Sequence, residues 1–231
     1  MTKKNKTVVV GSPAPASSML LLSTLGLIIQ PMQRRQKPYH HKRLREALLQ
    51  AAIHLIAEVG PAAFTLREVA RRAGVSHNAP YRHFRDKEEL MAAVAAQGFR
   101  ELNQAMLDAT KLPPNPVERL KAAGLAYVDF ALRRPQHFTV MFDAPVSTRK
   151  HPQSADAGEQ AFGTLMSFVK SCQDEKQLPS GDLHQLALLA WSMVHGIAKL
   201  ATAKRLPYRT RADILKFARF VIEESIPVPT A

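Results

Sequence analysis

The chain is poor in the features that stabilise or anchor many other proteins. Of its 231 residues one is a cysteine, Cys172. No disulfide can form within the chain, which suits a reducing cytosol and reads as a cytoplasmic protein. Cys172 itself reads as a small core residue. The apolar run MLLLSTLGLII, Met19 to Ile29, falls short of the ~20 apolar residues that a membrane-spanning helix needs. Residues 1–41 contain no acidic side chain, yet they carry Lys3, Lys4, Lys6, Arg34, Arg35 and Lys37. No segment has convincing strand alternation, and there are no internal repeats. His40 and His41 have no third ligand at zinc-like spacing, so no metal or other cofactor is expected.

What is present is positive charge and helical periodicity. The formal net charge is +13, with a pI of about 10.2. That excess favours a polyanionic partner, nucleic acid or an anionic membrane surface, with plain solubility as the alternative. Hydrophobic residues make up 46% of the chain, enough for a packed core. Three readings of the N-terminal stretch stay open. The lysines before the apolar run resemble an export signal, although no small-x-small cleavage site follows Ile29. Translation could instead start at Met32. The first 37 residues could also be a disordered tail, as Gly11, Pro13, Pro15 and their neighbouring serines suit.

Helical stripes follow. Leu44, Leu48, Ala51, Leu55 and Val59 mark a first helix from Lys42 to Val59, stopped by Gly60-Pro61. Thr65 and Glu68 form a capping box ahead of LREVARRA. Gly74 suits the left-handed end of that short helix. Ser76 is placed to cap the next one, with Pro80 tolerated in its first turn. Asp86 caps a long helix to about Thr110, and Lys111–Pro116 is a hard stop. Further helices are expected over Val117–Arg133, Gln136–Phe142, Asp156–Gln177, Leu183–Arg205 and Arg211–Ser225. Asp143–Ala155 reads as a loop, and Pro179–Asp182 as a turn that caps the helix after it.

Two short helices joined by Gly74-Val75-Ser76 make a helix-turn-helix. Its second helix enters the major groove and presents its N-terminal residues to base edges. Leu66, Val69, Ala70, Val75 and Phe84 would hold the pair against the first helix. His77 and Asn78 can bond base edges, and Ala79 can touch a thymine methyl. Tyr81, Lys87 and the amides near Thr65 suit phosphates. Arg67 could reach a guanine or a phosphate. His83 reads equally as a packing residue beneath the motif, Tyr81 alternatively as a core ring, and Arg71 and Arg72 as a solvated face.

The segment TLREVARRAGVSHNAPYRHFRDKEEL resembles the DNA-binding part of the tetracycline-repressor (TetR/AcrR) family of bacterial regulators, with similarity running from Lys42 to Leu102. The resemblance implies that Thr65 and Arg67 touch backbone or base, that Ser76 belongs to the DNA-binding turn, that His77, Asn78 and Ala79 read bases, and that Tyr81, His83 and Lys87 contact the backbone. Many relatives have glycine at the position of Asn78 and leucine at that of Pro80, so the operator sequence is open. The later stretch WSMVHG, Trp191 to Gly196, looks like a Trp-x3-His-Gly subclass of the family's C-terminal domain. Trp191 and His195 share a helix face, and Gly196 would let another helix approach.

The family further implies a small-molecule effector and a homodimer built by the last two helices as a four-helix bundle. Tyr127, Phe130, Phe138, Met141, Phe162, Met166, Trp191 and His195 are the candidate pocket residues, with an ordinary helical core as the alternative. The resulting expectation is an all-α chain. Residues 1–37 form an extension, 38–100 a three-helix DNA-binding domain, and 101–231 a helical ligand-binding and dimerisation domain. Its function would be that of a ligand-responsive repressor on a palindromic double-stranded DNA operator, with no membrane partner. The rivals are a sequence-tolerant architectural DNA binder and an enzyme using His195. No carboxylate, serine or cysteine accompanies His195 at a motif spacing, so no enzyme is expected. The sequence names neither ligand, operator nor regulated genes, and does not separate repressor from activator.

Overall fold

The computed structural model describes residues 38–111, 115–147 and 149–226, with side chains from Arg43 onward. The run Met19–Ile29, the alternative start at Met32 and the His40-His41 side chains lie outside that range. Helices dominate the described residues, and no strand occurs among them. Helix α1 runs Pro38–Val59, α2 Leu66–Arg72, α3 Lys87–Ala109, α4 Pro116–Arg133, α5 Pro135–Asp143, α6 Pro152–Asp174, α7 Leu183–Thr202 and α8 Arg211–Ser225. A 3-10 turn spans Pro80–Arg82.

Local chemistry fixes most of the helix ends. Gly60 adopts φ 81°, and its amide closes α1 by donating to the Ile56 carbonyl at 3.0 Å. The capping box forms as expected. Glu68 N–H donates to Thr65 Oγ1 at 3.3 Å, and Thr65 N–H donates to Glu68 Oε2 at 2.7 Å. The Thr65 hydroxyl, which donates to the same oxygen at 2.9 Å, and then that amide hold the Glu68 carboxyl below its ordinary range. At the other end of α2, Gly74 takes φ 67°. Its amide reaches the Arg71 carbonyl while that of Val75 reaches Ala70, the paired pattern of a Schellman end. Asp86 accepts from Glu89 N–H at 2.8 Å to start α3, and Asp182 does the same for α7 through Gln185.

The structure corrects three of the expected segments. No α-helix starts at Ser76. With Ser76 as N-cap, the first amide able to close an α-turn belongs to residue 80, and proline has none. The chain substitutes a tighter bond, Ala79 N–H to the Ser76 carbonyl at 2.9 Å. It then makes the 3-10 turn at Pro80, with no side-chain cap. The loop expected over Asp143–Ala155 is shorter, because Pro152 begins α6 at a position where its missing N–H costs nothing. Arg72 is not simply solvated. Its guanidinium forks onto both carboxylate oxygens of Glu58, tying α2 to α1.

Two hydrophobic clusters form. One packs α1, α2 and the start of α3 around Leu48, Phe64, Val69, Phe84 and Leu90. The other fills the space among α4, α6, α7, α8 and the far end of α3 around Tyr127, Phe138, Val169, Val194 and Ile222. Helix α3 serves both, with Leu90 and Val94 in the first cluster and Leu102 and Met106 in the second. Cys172 is buried in the second.

Candidate nucleic-acid interface and ligand cavity

The α2–turn segment is held from beneath by burial. Leu66, Val69, Ala70, Pro80 and Phe84 are all buried, and Val75 packs partly against the same cluster. Side chains facing outward are left on a short, rigid arc. Thr65, Arg67, Ser76, His77 and Asn78 are exposed, as is Tyr81 with 51% of its surface in solvent. A half-exposed phenol on this arc is unlike a core ring. Ala79 and His83 are partly buried, and the His83 ring lies 6.4 Å from that of Phe84.

Lys87 has a local role as well. Its ammonium donates to the Ala62 carbonyl at 2.7 Å and lies 4.4 Å from the centre of the Phe64 ring. Burial lowers its pKa from the ordinary lysine value. One of its three donors is therefore spent on bracing the α1–α2 loop against the start of α3, leaving two for another partner.

In the second cluster the expected pocket residues divide into three groups. A cavity of about 390 Å³ is lined by Tyr127, Phe162 and Trp191, together with Phe99, Phe142 and other apolar residues, with Glu159 and His184 among its few polar ones. Phe138, Met141, Met166 and His195 pack around it without lining it. Phe130 is turned away and lines a separate open groove between α3, α4 and α8.

Sequence reading missed Leu120, Gly124, Met193 and Ile222, which also line the cavity. Gly124 carried a usable signal. A Cβ there would stand 3.2 Å from Val194 and 3.3 Å from Ile222, so a small residue is needed where α4 meets α7 and α8. Gly196, by contrast, does not admit another helix of the chain. Among the described residues nothing lies within 4 Å of a Cβ built on it.

Trp191 and His195 meet at one oxygen. The Trp191 indole N–H donates to the Tyr127 hydroxyl at 3.1 Å, and that hydroxyl lies 2.8 Å from His195 Nδ1. Burial, and then Lys199 nearby, lower the His195 pKa and favour the neutral ring. With Trp191 a donor only, the trio is satisfied by the tautomer in which Tyr127 donates to Nδ1 and the imidazole proton sits on Nε2. Burial pushes the Tyr127 pKa well above its usual value, so the hydroxyl stays protonated. The trio is a relay of neutral hydrogen bonds in which Tyr127 and Trp191 line the apolar cavity and His195 does not. It supplies no nucleophile. Among the described residues no group of three or more His, Cys, Asp or Glu could hold a metal, and no helix is long and apolar enough to cross a membrane.

Residues 48–94 match the model of bacterial regulatory proteins of the tetR family, and residues 120–224 match the tetracyclin repressor-like C-terminal domain. The chain is 44% identical over 61 residues to an HTH-type transcriptional repressor of Mycobacterium tuberculosis, a match covering 26% of this chain and 32% of that protein's length. It is 36% identical over 176 residues to the HTH-type transcriptional regulator BetI of Rhizobium meliloti, covering 74% of this chain and 83% of BetI. A solved structure of a protein of unknown function from Rhodococcus sp. RHA1 is 31% identical, with a TM-score of 0.68, covering 83% of this chain and 99% of that one. With both halves matched in order and a relative of this identity covered over most of its length, the chain belongs to the tetR family of bacterial regulatory proteins.

Proposed function

We propose that the chain is a sequence-specific transcriptional regulator, a ligand-responsive repressor that reads a palindromic DNA operator as a homodimer. The observation that carries the reading is the exposed arc from Ser76 to Asn78 with Tyr81, raised on a buried base of Val69, Pro80 and Phe84. His77 and Asn78 read base edges, with Ala79 against a thymine methyl. Thr65, Arg67, Tyr81, His83 and Lys87 fix the register on phosphates. The repressor sign is supported by the name of the mycobacterial relative, whose matched segment includes no more than a third of its length. Exposed Leu189 and Leu200 on α7 and Phe220 on α8 are the kind of surface that a second copy would cover.

The effector would occupy the cavity beside Tyr127, Phe162 and Trp191 and would be largely apolar, as the cavity walls are. The Trp191-Tyr127-His195 relay is what supports reading the chain as a member of the Trp-x3-His-Gly subclass. Residues 38–100 would form the DNA-binding domain and the remainder the effector and dimer domain, with α3 common to both. An effector that favours a dimer with the wrong half-site spacing lowers operator affinity by its differential affinity for that state. The test is footprinting on DNA flanking the protein's own gene with excess competitor DNA. A protected inverted repeat is the expected result. Uniform coverage that competitor removes would instead favour an architectural binder.

A further inference from the structure

We propose a second small-molecule site, for a phosphate-bearing anion, in a basic cavity between α1, α3 and the start of α6. The cavity has a volume of about 560 Å³. Arg45, Arg85, Arg100 and Lys150 line it against one carboxylate, Glu89, which is engaged with Arg85 at 3.3 Å. Four cations facing one acid in a concave space raise the local concentration of anions.

The surroundings fit the same ligand class. Helix α6 begins at the cavity with Pro152, and its N-cap, His151, offers no side-chain hydrogen bond to the first turn. Gln153 and Ser154, at that first turn, line the space, so the positive end of a 23-residue helix opens onto it. Phe84 forms an apolar wall, and the Arg45 guanidinium lies 5.4 Å from the centre of its ring.

A small anion suits the cavity better than the DNA backbone does. The lining includes His83, beside the turn proposed to meet DNA, but Arg100 lies 13 residues beyond Lys87 on α3, about 20 Å along the axis and away from that turn. The cavity also touches a latch. Glu88 accepts from Ser147 N–H at 2.9 Å, with Lys150 at 3.5 Å and His151 at 3.7 Å from its oxygens. A bound phosphate competes with Glu88 for Lys150, and Glu88 stands in the first turn of the helix that follows the DNA-binding turn. The effector is then sensed at the junction of the two halves. The site is independent of the apolar cavity and does not rest on the repressor reading.

The test is calorimetric titration of the full chain with inorganic pyrophosphate at constant ionic strength. The comparison is with Arg100→Gln/Lys150→Gln and, as a control, Arg205→Gln. Saturable binding of one pyrophosphate per protomer is expected, weaker by about tenfold or more in the double variant, the scale of one lost charge-assisted hydrogen bond, and unchanged in the control. Absence of saturable heat overturns the proposal, as does an equal loss in the control. It is also overturned if a DNA duplex displaces pyrophosphate and the double variant loses duplex affinity to the same degree, since the cavity then belongs to the DNA interface.

Discussion

The Trp191 indole nitrogen lies 3.1 Å from the Tyr127 hydroxyl, 64 residues away in sequence, and this bond fastens α7 to α4 beside the apolar cavity. Tyr127→Phe removes the oxygen that both Trp191 and His195 use. A partner left unpaired in a buried site costs ~1–3 kcal/mol. Urea unfolding of the variant should show a loss on that scale, while binding to DNA without effector stays near that of the wild type. An unchanged midpoint would mean that water replaces the hydroxyl.

Two histidines should make stability depend on pH. Burial lowers the pKa of His137, and neither of its ring nitrogens has a hydrogen-bond partner among the described residues. Burial also lowers that of His195. The unfolded chain therefore takes up protons first as pH falls through about 6.5, the ordinary histidine value. Stability is full above that pH and is lost progressively below it, down to the depressed folded values. Thermal unfolding from pH 8 to 5 should show the fall, and His137→Phe should flatten part of it.

Base and phosphate contacts should separate by kind. Asn78→Ala should change which operator bases matter, at ~1–3 kcal/mol per lost contact. Lys87→Ala should weaken all duplexes alike and reduce the salt slope by about one charge. Because Lys87 also braces Ala62 and Phe64, that variant should melt earlier, whereas Asn78→Ala should not. Matching salt slopes and sequence profiles for the two would dissolve the distinction.

Two helical glycines should respond in opposite directions to alanine. A Cβ at Gly98 would stand 2.5 Å from Met141 Sδ and 3.2 Å from His137 Cβ, so Gly98→Ala overpacks the α3–α5 contact at ~1–3 kcal/mol. At Gly196 the space is open within the chain, and alanine gains helix propensity of ~1 kcal/mol. Thermal melts at dilute protomer concentration distinguish them. A destabilised Gly196→Ala whose melt recovers with concentration would place that glycine in a contact between copies.

Pro80→Leu tests why the DNA-binding turn is not a full helix. Leucine supplies the N–H that proline lacks, allowing an α-turn onto the Ser76 carbonyl. Hydrogen exchange should slow at residue 80 and its neighbours, and the footprint pattern should change. Fast exchange throughout would assign the tight turn to the packing of Phe84 instead.

Helix ends were the most legible features in the sequence, because caps act within a few residues. Thr65 with Glu68, Asp86, Asp182 and Gly74 all do in the structure what their spacing implied. The recognition segment was legible in place but not in form. A proline four residues after its cap removes the first α-helical bond, a matter of register that tolerance of proline early in a helix does not capture. The cavity was half legible. Aromatic residues cluster in any helical core, and which of them face the empty space depends on how α4, α7 and α8 approach, as set by Gly124, Val194 and Ile222. Arg72 and Glu58 lie 14 residues apart, beyond any helical spacing rule, so their pairing could be seen only once α2 was folded back on α1.

Helix α3 belongs to both hydrophobic clusters, and this gives it the mechanics of a lever. Its 23 residues make a rod of about 35 Å. A tilt of about 5° about the end that borders the apolar cavity would carry Lys87 and the DNA-binding turn through about 3 Å at the other end. In the proposed symmetric dimer the two displacements would add. Against the ~34 Å between successive major grooves on one face of DNA, a few degrees at the cavity would suffice to take both reading arcs of the proposed dimer out of phase with the double helix.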